Sequence, residues 1–332
     1  MKELSLTRVD PTEAPKLESF DDRTVYQTDE WLRFVSRTQK AEPVLAVVVD
    51  GEATVGRFAG LIIRRFGIRI LGSPFPGWTT SHMGFNLRPS VSRTDALAAL
   101  RNFAFRNLRC AHLEVMDRRL SVDEIKRLGY AHRVFSGLEV DLTKSEDELF
   151  AAMDPACRRS IRKGEKSEIR VEEADAASFS DEYYTQLLDV FAKQRLVPTY
   201  PKERVEALIQ HLHPTGRLLL VRVRNSEGTC IATGIFPALN DTMYFWGGAS
   251  DRAHQILRPN EALHWFAMRY WKARGISKYD MQGEGDFKKK FGGYEIGVPW
   301  IRMSKYPLLE YLRNKAKRMF NYKQRLFGLA RK

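Results

Sequence analysis

The stretch Tyr279-Asp280-Met281-Gln282-Gly283-Glu284-Gly285-Asp286-Phe287-Lys288-Lys289-Lys290-Phe291-Gly292-Gly293 joins a strand end to a glycine-broken, highly charged loop. Strand ends of open α/β sheets are where ligands bind, and glycine lets a backbone approach a ligand closely. A carboxylate can take a proton there, and a lysine can face a developing negative charge. The same residues also make an ordinary turn with solvated charges.

Working outward, a helix starting at Pro259 precedes this strand, with Leu263, Phe266, Ala267, Tyr270 and Trp271 on its inner face and Gly275 at its end. Three strands at 218–223, 230–237 and 243–246 come before it, separated by the turns Glu227-Gly228 and Asn240-Asp241. The first half repeats this order. Strands at 44–49, 57–65 and 68–71 lead to a helix capped by Thr94 or Asp95, with Leu97, Leu100, Ala104 and Leu108 on one face, and then to a strand at 112–116. The displacement between the halves is 173 residues at the first strand and 166 at the last, as expected for a duplicated α/β unit. Between them, a strand at 139–142 precedes a capping box, Ser145 with Glu148, that opens a helix running through Lys163. Helices at 181–195 and 201–213 follow. These readings divide the chain into a first unit at 1–140, a second carrying the main site at 141–304, and a tail at 305–332.

The 332-residue chain carries a net charge of +13. Residues 301–332 hold ten Lys/Arg against Glu310, leaving +4 for the rest. In the tail, Leu308, Leu312, Ala316, Met319 and Phe320 share a helical face with cations elsewhere, the pattern of a helix lying on an anionic membrane surface. A helix docked on the body and an RNA-binding extension fit the same pattern. No apolar run approaches the ~20 residues that span a bilayer. Cys110, Cys157 and Cys230 form no CxxC pair, and His211-Leu212-His213 has no third ligand nearby, so no metal is expected. The N-terminus lacks an apolar signal segment, and a cytoplasmic protein is expected, at most peripheral on the inner membrane face.

Tyr279-Asp280, Gly283, Phe287-Lys288 and Phe291-Gly292-Gly293 resemble the C-terminal signature of Fem-type aminoacyltransferases and the related BioF2-like acetyltransferase domains of the GNAT superfamily. Arg159-Ser160-Ile161-Arg162-Lys163-Gly164-Glu165-Lys166 resembles a helix end of the same family, and Leu257-Arg258-Pro259-Asn260-Glu261-Ala262-Leu263 a helix start. The resemblance spans roughly residues 25 to 300. It implies tandem GNAT-like domains, each a mixed, mainly antiparallel sheet flanked by helices, here with a basic C-terminal helix added. It also implies transfer of an acyl or aminoacyl group to an amine of a cell-envelope or polysaccharide-related acceptor. Lys288 holds the position the family uses to stabilise the tetrahedral intermediate, and Glu284 or Asp286 is the candidate base.

Arg162, Lys163, Arg258 and Asn260 are candidate contacts to phosphates. Trp78 is a candidate flat surface for a sugar, and Tyr244 and Trp246 line either a pocket or the core. No tightly bound cofactor is implied, the donor being acyl-CoA or aminoacyl-tRNA. Two departures stand out. Residues 73–82 lack the carboxylate that Fem peptide ligases carry there, and nothing between Gly248 and Pro259 fits the [RQ]xxGx[GA] pattern of acetyl-CoA enzymes. An acetyl-CoA-dependent N-acetyltransferase acting on a sugar precursor, and a non-catalytic module binding RNA or an anionic glycan, are the alternatives.

Overall fold

The computed structural model describes residues 4–193 and 196–311, together with residue 315. Most of the proposed tail helix, and with it the membrane and RNA readings of that tail, lies outside the described residues.

In the first half, β1 (Ser5–Val9) and α1 (Asp29–Gln39) lead into β2 (Glu42–Asp50), β3 (Ala53–Arg65), β4 (Ile68–Ser73) and the short β5 (Phe85–Leu87). Helix α2 (Arg93–Asn102), β6 (His112–Met116), α3 (Val122–Arg127) and β7 (Ala131–Asp141) follow. Two helices, α4 (Glu146–Ala152) and α5 (Pro155–Lys166), lead to β8 (Arg170–Glu173), α6 (Ala176–Lys193) and α7 (Lys202–Leu212). The second half then runs β9 (Leu218–Arg224), β10 (Cys230–Leu239), β11 (Thr242–Tyr244), β12 (Gly247–Ser250), α8 (Pro259–Lys272), β13 (Lys278–Asp280), α9 (Asp286–Lys289) and β14 (Tyr294–Ser304).

Local chemistry corrects three expectations. The helix expected from Ser145 through Lys163 is broken, because the Asp154 side chain accepts from the Ala156 N–H and Pro155 takes the first-turn position, starting a new helix. The cap of α2 is Ser92, whose Oγ accepts from the Asp95 N–H, rather than Thr94 or Asp95. Helix α2 also ends sooner than its apolar face suggested, passing into a π-turn over Phe103–Asn107.

All the strands join one sheet in the order β1-β2-β3-β4-β6-β14-β7-β13-β11-β10-β9-β8, with β5 beside β3 and β12 beside β10. The repeat is visible in the pairing. In the first half β4 runs parallel to β6 across the α2 crossover, and in the second β11 runs parallel to β13 across α8. The last strands are exchanged between the halves: β14 pairs with β6, and β7 with β13. These two strands also pair with each other, Ala131 opposite Arg302 and Glu139 opposite Tyr294, around the central pair Phe135–Val298. That register maps onto itself when the strands are interchanged, so an approximate twofold passes through the pair.

Among the described residues, three large apolar cores follow from this sheet, with a small cluster of Met116, Val298 and Trp300 beside Phe135 at the twofold. One lies within the first half, between the strands and α2, and one within the second, between its strands, α5 and α8. The third joins the halves, bringing Trp31 and Phe34 of α1 together with Val205 and Leu208 of α7 and with Tyr244 and Trp246. Each large side chain buried there contributes roughly 1.5–3 kcal/mol, so the join is as well fastened as either half.

Candidate active site

The site forms where β13 ends beside β7, at the join between the halves. Asp280 is the last residue of β13, 1% exposed, and lies directly opposite Glu139 of β7, which is equally buried. Two carboxylates so placed need compensation. Glu139 finds it in Arg118 at 2.6 Å and in the Tyr294 hydroxyl. Asp280 is compensated only in part. Its Oδ1 accepts from the Gln282 N–H at 2.8 Å, whereas its buried Oδ2 has no hydrogen-bond partner. Burial pushes the Asp280 carboxyl up to about 6. The Gln282 N–H, Arg118 and Lys288 pull it down, and Glu139 pushes it further up.

Gln282 holds the turn together. Its backbone is left-handed, at φ 51°, a conformation that costs energy in a residue with a side chain. In return its N–H reaches Asp280, its carbonyl accepts from Lys288 Nζ, and its side-chain amide donates to the Tyr26 hydroxyl. Lys288 is half-buried on the single turn of α9, with its ammonium 5.8 Å from the Phe245 ring centre. Burial lowers its pKa, partly offset by Asp280. The loop can close this way because Gly292, at φ 76°, lies where a Cβ would come within 2.6 Å of the Ala152 carbonyl oxygen. A Cβ on Gly293 would meet the Glu139 carbonyl oxygen at 2.8 Å.

Beside Asp280 is a cavity of about 230 Å³, walled by Gly77, Thr80 and Ser81 of the first half, by Phe135 and Val298 at the twofold, and by Gln282. Phe135 and Ile296 give it an apolar floor, and Asp280 is the acid in its wall. Behind it, His264 of α8 shares a 2.6 Å hydrogen bond with the Tyr279 hydroxyl. His264 is held neutral, at about 3, by burial first and then by Lys288 and Lys290.

The residues singled out from the sequence fall into several places. Lys288 is at the site. Glu284 and Asp286 are exposed on the loop, while Asp280, quoted only as part of the strand end, is the buried carboxylate at the cavity. Its signal was available, as an acid ending a strand whose other residues are apolar or paired. Trp78 packs on Phe75, with ring centres 4.8 Å apart, while its neighbours line the cavity. Tyr244 is buried against Tyr26, and Trp246 packs against Phe34 and Tyr200 in the core joining the halves.

Arg162 and Lys163 are exposed on α5, with Arg162 over the Phe150 ring. Arg258 caps α8 in a left-handed conformation, and Asn260 donates to Ser250 Oγ at 3.1 Å. The first turn of α8 also holds buried Glu261, paired with Lys290 at 2.6 Å, and a 3₁₀ segment, Arg252–Leu257, occupies the approach to it. Lys290 is thereby tied up internally, and Lys289 reaches only Glu295, at 3.4 Å. Among the described residues, no group of His, Cys, Asp and Glu could hold a metal ion, and no helix is long and apolar enough to cross a membrane.

Residues 155–290, from the start of α5 to the end of α9, match the family model of the acetyltransferase (GNAT) domain. This segment is similar to GNAT acetyltransferase domains. It holds both Asp280 and Lys288, and the strand that completes its sheet, β7, comes from outside it. The whole chain has the tandem GNAT-like fold of several solved structures. It superposes on FemX with a TM-score of 0.71 at 15% identity, covering 89% of this chain and 96% of that one. A tandem GNAT protein from the clavulanic acid biosynthesis pathway gives 0.52 at 11% identity, covering 92% and 99%. The structure of L-PGS from Bacillus licheniformis gives 0.50 at 12% identity, covering 86% and 95%. At these identities the likeness is one of fold. No curated protein matches the chain in sequence.

Proposed function

We propose that the chain is an N-acyltransferase that moves an acyl or aminoacyl group onto the amine of a cell-envelope or polysaccharide-related acceptor. The observation that carries this reading is the pairing of a buried, half-satisfied carboxylate, Asp280, with a half-buried lysine, Lys288, across one turn at a cavity. The acceptor nitrogen attacks the donor carbonyl carbon, a C–N bond forms, and the bond from that carbon to the donor's sulfur or ester oxygen breaks. Asp280 accepts the proton that the nitrogen loses, and a pKa of about 6 leaves it ionised at neutral pH yet basic enough for the task. The Lys288 ammonium faces the oxygen that carries the negative charge of the intermediate. Arg118 and the Gln282 N–H offset burial around Asp280, so that it retains a proton less readily than burial alone would dictate, while Glu139 works in the opposite sense. On this reading the base is Asp280, in place of Glu284 or Asp286.

The match to a GNAT domain favours an acyl-CoA donor. The lack of the pyrophosphate-loop pattern, and a helix N-terminus already holding Glu261, favour an aminoacyl-tRNA. The envelope acceptor is supported by the likeness to FemX and L-PGS, and a site at the cytoplasmic membrane face suits such an acceptor. Incubating the purified chain with labelled acetyl-CoA or with labelled aminoacyl-tRNA and a panel of amino sugars and amine-bearing peptides tests this. Transfer from one donor, lost in Asp280→Asn and in Lys288→Ala, is expected. Transfer that survives both substitutions would overturn the assignment of the site, and binding without transfer from either donor would favour the non-catalytic module.

A further inference from the structure

The twofold places the end of β6 where the second half has its glycine loop. There the chain reads Asp117-Arg118-Arg119, and a separate cavity of about 150 Å³ opens beside it, between the halves. Five cations reach its wall: Arg23, Arg93, Arg118 and Arg119 from the first half and Lys278 from the second. The acids there are Asp22, Asp117 and Asp241, so the lining carries two more cations than acids, of which Arg118 is paired outside the cavity with Glu139 at 2.6 Å. Those acids fix the cations in place. Arg93 bridges Asp22 and Asp117, and Lys278 pairs with Asp241 at 2.7 Å.

Two guanidinium groups retain donor capacity. Arg23 donates to the Phe20 carbonyl at 2.8 Å, and Arg119, about half exposed, comes no closer than 3.9 Å to Asp22. The buried His82 in the wall is held neutral, at about 3, by burial first and then by Arg118, Arg119 and Arg93. Arg118 and Tyr244 border this cavity; Arg118 acts on the Asp280 carboxyl and Tyr244 lies opposite Asp280 across β11 and β13, so the two cavities are neighbours on either side of these residues.

We propose that this arginine-lined cavity binds a phosphate group, and that the phosphate belongs to the acceptor, whose amine is thereby delivered to Asp280. Guanidinium groups suit a phosphate because they give planar, paired donors at full charge. Arg118 and Tyr244, which border the cavity and neighbour Asp280, are what link binding there to chemistry at β13. The anion site stands on its own geometry, and only the identity of the phosphate's owner rests on the acyl-transfer reading.

Titration calorimetry of the full chain with inorganic pyrophosphate tests the site. Saturable binding is expected, weakened about tenfold or more in Arg23→Ala with Arg119→Ala, since hydrogen bonds to charged groups are of that strength. Arg119→Lys, which keeps the charge and loses the fork, is expected to fall in between and guards against misfolding of the double variant. Arg170→Ala, on the exposed edge strand β8, is expected to bind as the parent does. Unchanged affinity in Arg119→Lys and in the folded double variant would overturn the site, leaving only general attraction to a basic surface.

Competition with pyrophosphate by a nucleoside diphosphate, or by vesicles of phosphatidylglycerol, tells a soluble phosphate ester from a lipid headgroup. Asp280→Asn is expected to keep pyrophosphate binding and lose transfer. Retained transfer there would break the acyl-transfer reading and leave the anion site standing. Lost pyrophosphate binding in Asp280→Asn would break the separation of the two cavities.

Discussion

The ends of β6 and β13 occupy equivalent places in the two repeats and hold their acids in opposite ways. Glu114 is the third residue of β6, opposite Arg302 of β14, and Asp280 is the third residue of β13, opposite Glu139 of β7. Glu114 is met on both oxygens, by His112 Nε2 and by Trp300 Nε1, each at 3.1 Å. Asp280 keeps one oxygen unmet beside a cavity. Duplication thus supplied one scaffold twice. In one copy the acid is built into the structure, and in the other it is left partly unmet. A buried carboxylate without its full set of donors is a stability cost, and such costs gather at functional sites.

The largest effect should come from removing that difference. Asp280→Asn is expected to lower transfer by about 10²–10⁴, as for loss of a general base, while Glu114→Gln leaves the chemical step within a few-fold. Comparable losses in both would show that the two acids do the same job. Stability should move the other way. Asp280 has its pKa raised from 3.8 to about 6 in the folded state. Between those values the folded chain holds the proton more tightly than the unfolded chain does. Stability is therefore lost as pH rises through that window, and the cost persists at pH 7. Asp280→Asn removes it, so the melting temperature at pH 7 should rise, by the equivalent of about 3 kcal/mol at most. Transfer by the parent should instead gain rate as pH rises through about 6. Melting curves and rate profiles over pH 4–8 check both signs.

Next comes Lys288→Ala, expected to cost about 10²–10³ in transfer with little change in acceptor binding, as for one lost oxyanion donor. A rise in KM at constant kcat would make Lys288 a binding group instead. Lys290→Ala should act on stability, by about 3 kcal/mol, because it leaves buried Glu261 unpaired, and Glu261→Gln in the same chain should restore much of it. Lys289→Ala should change neither activity nor melting by more than about 0.5 kcal/mol, its contact with Glu295 being exposed.

Much of this was legible in the residues themselves. The order of strands and helices in each half, the helix start at Pro259, the capping box at Ser145 and the glycines that close the Phe291-Gly292-Gly293 turn follow from local propensity and periodicity, which act over a few neighbours. The place of Lys288 beside a strand end was readable for the same reason, since β13, the loop and α9 are contiguous in the chain. The exchange of β7 and β14 between the halves was not readable, because pairing partners far apart in sequence leave no periodic trace.

That exchange decides the site. It sets Glu139 opposite Asp280 and brings Arg118, Tyr26 and the 73–82 segment to the same point. Burial then singles out Asp280 over the neighbouring exposed acids Glu284 and Asp286, which are indistinguishable from it by composition. Sequence alone determined the repeated unit and the charged loop. Tertiary structure decided which carboxylate is dry, because desolvation depends on what the rest of the chain packs around a group, and no local pattern records that.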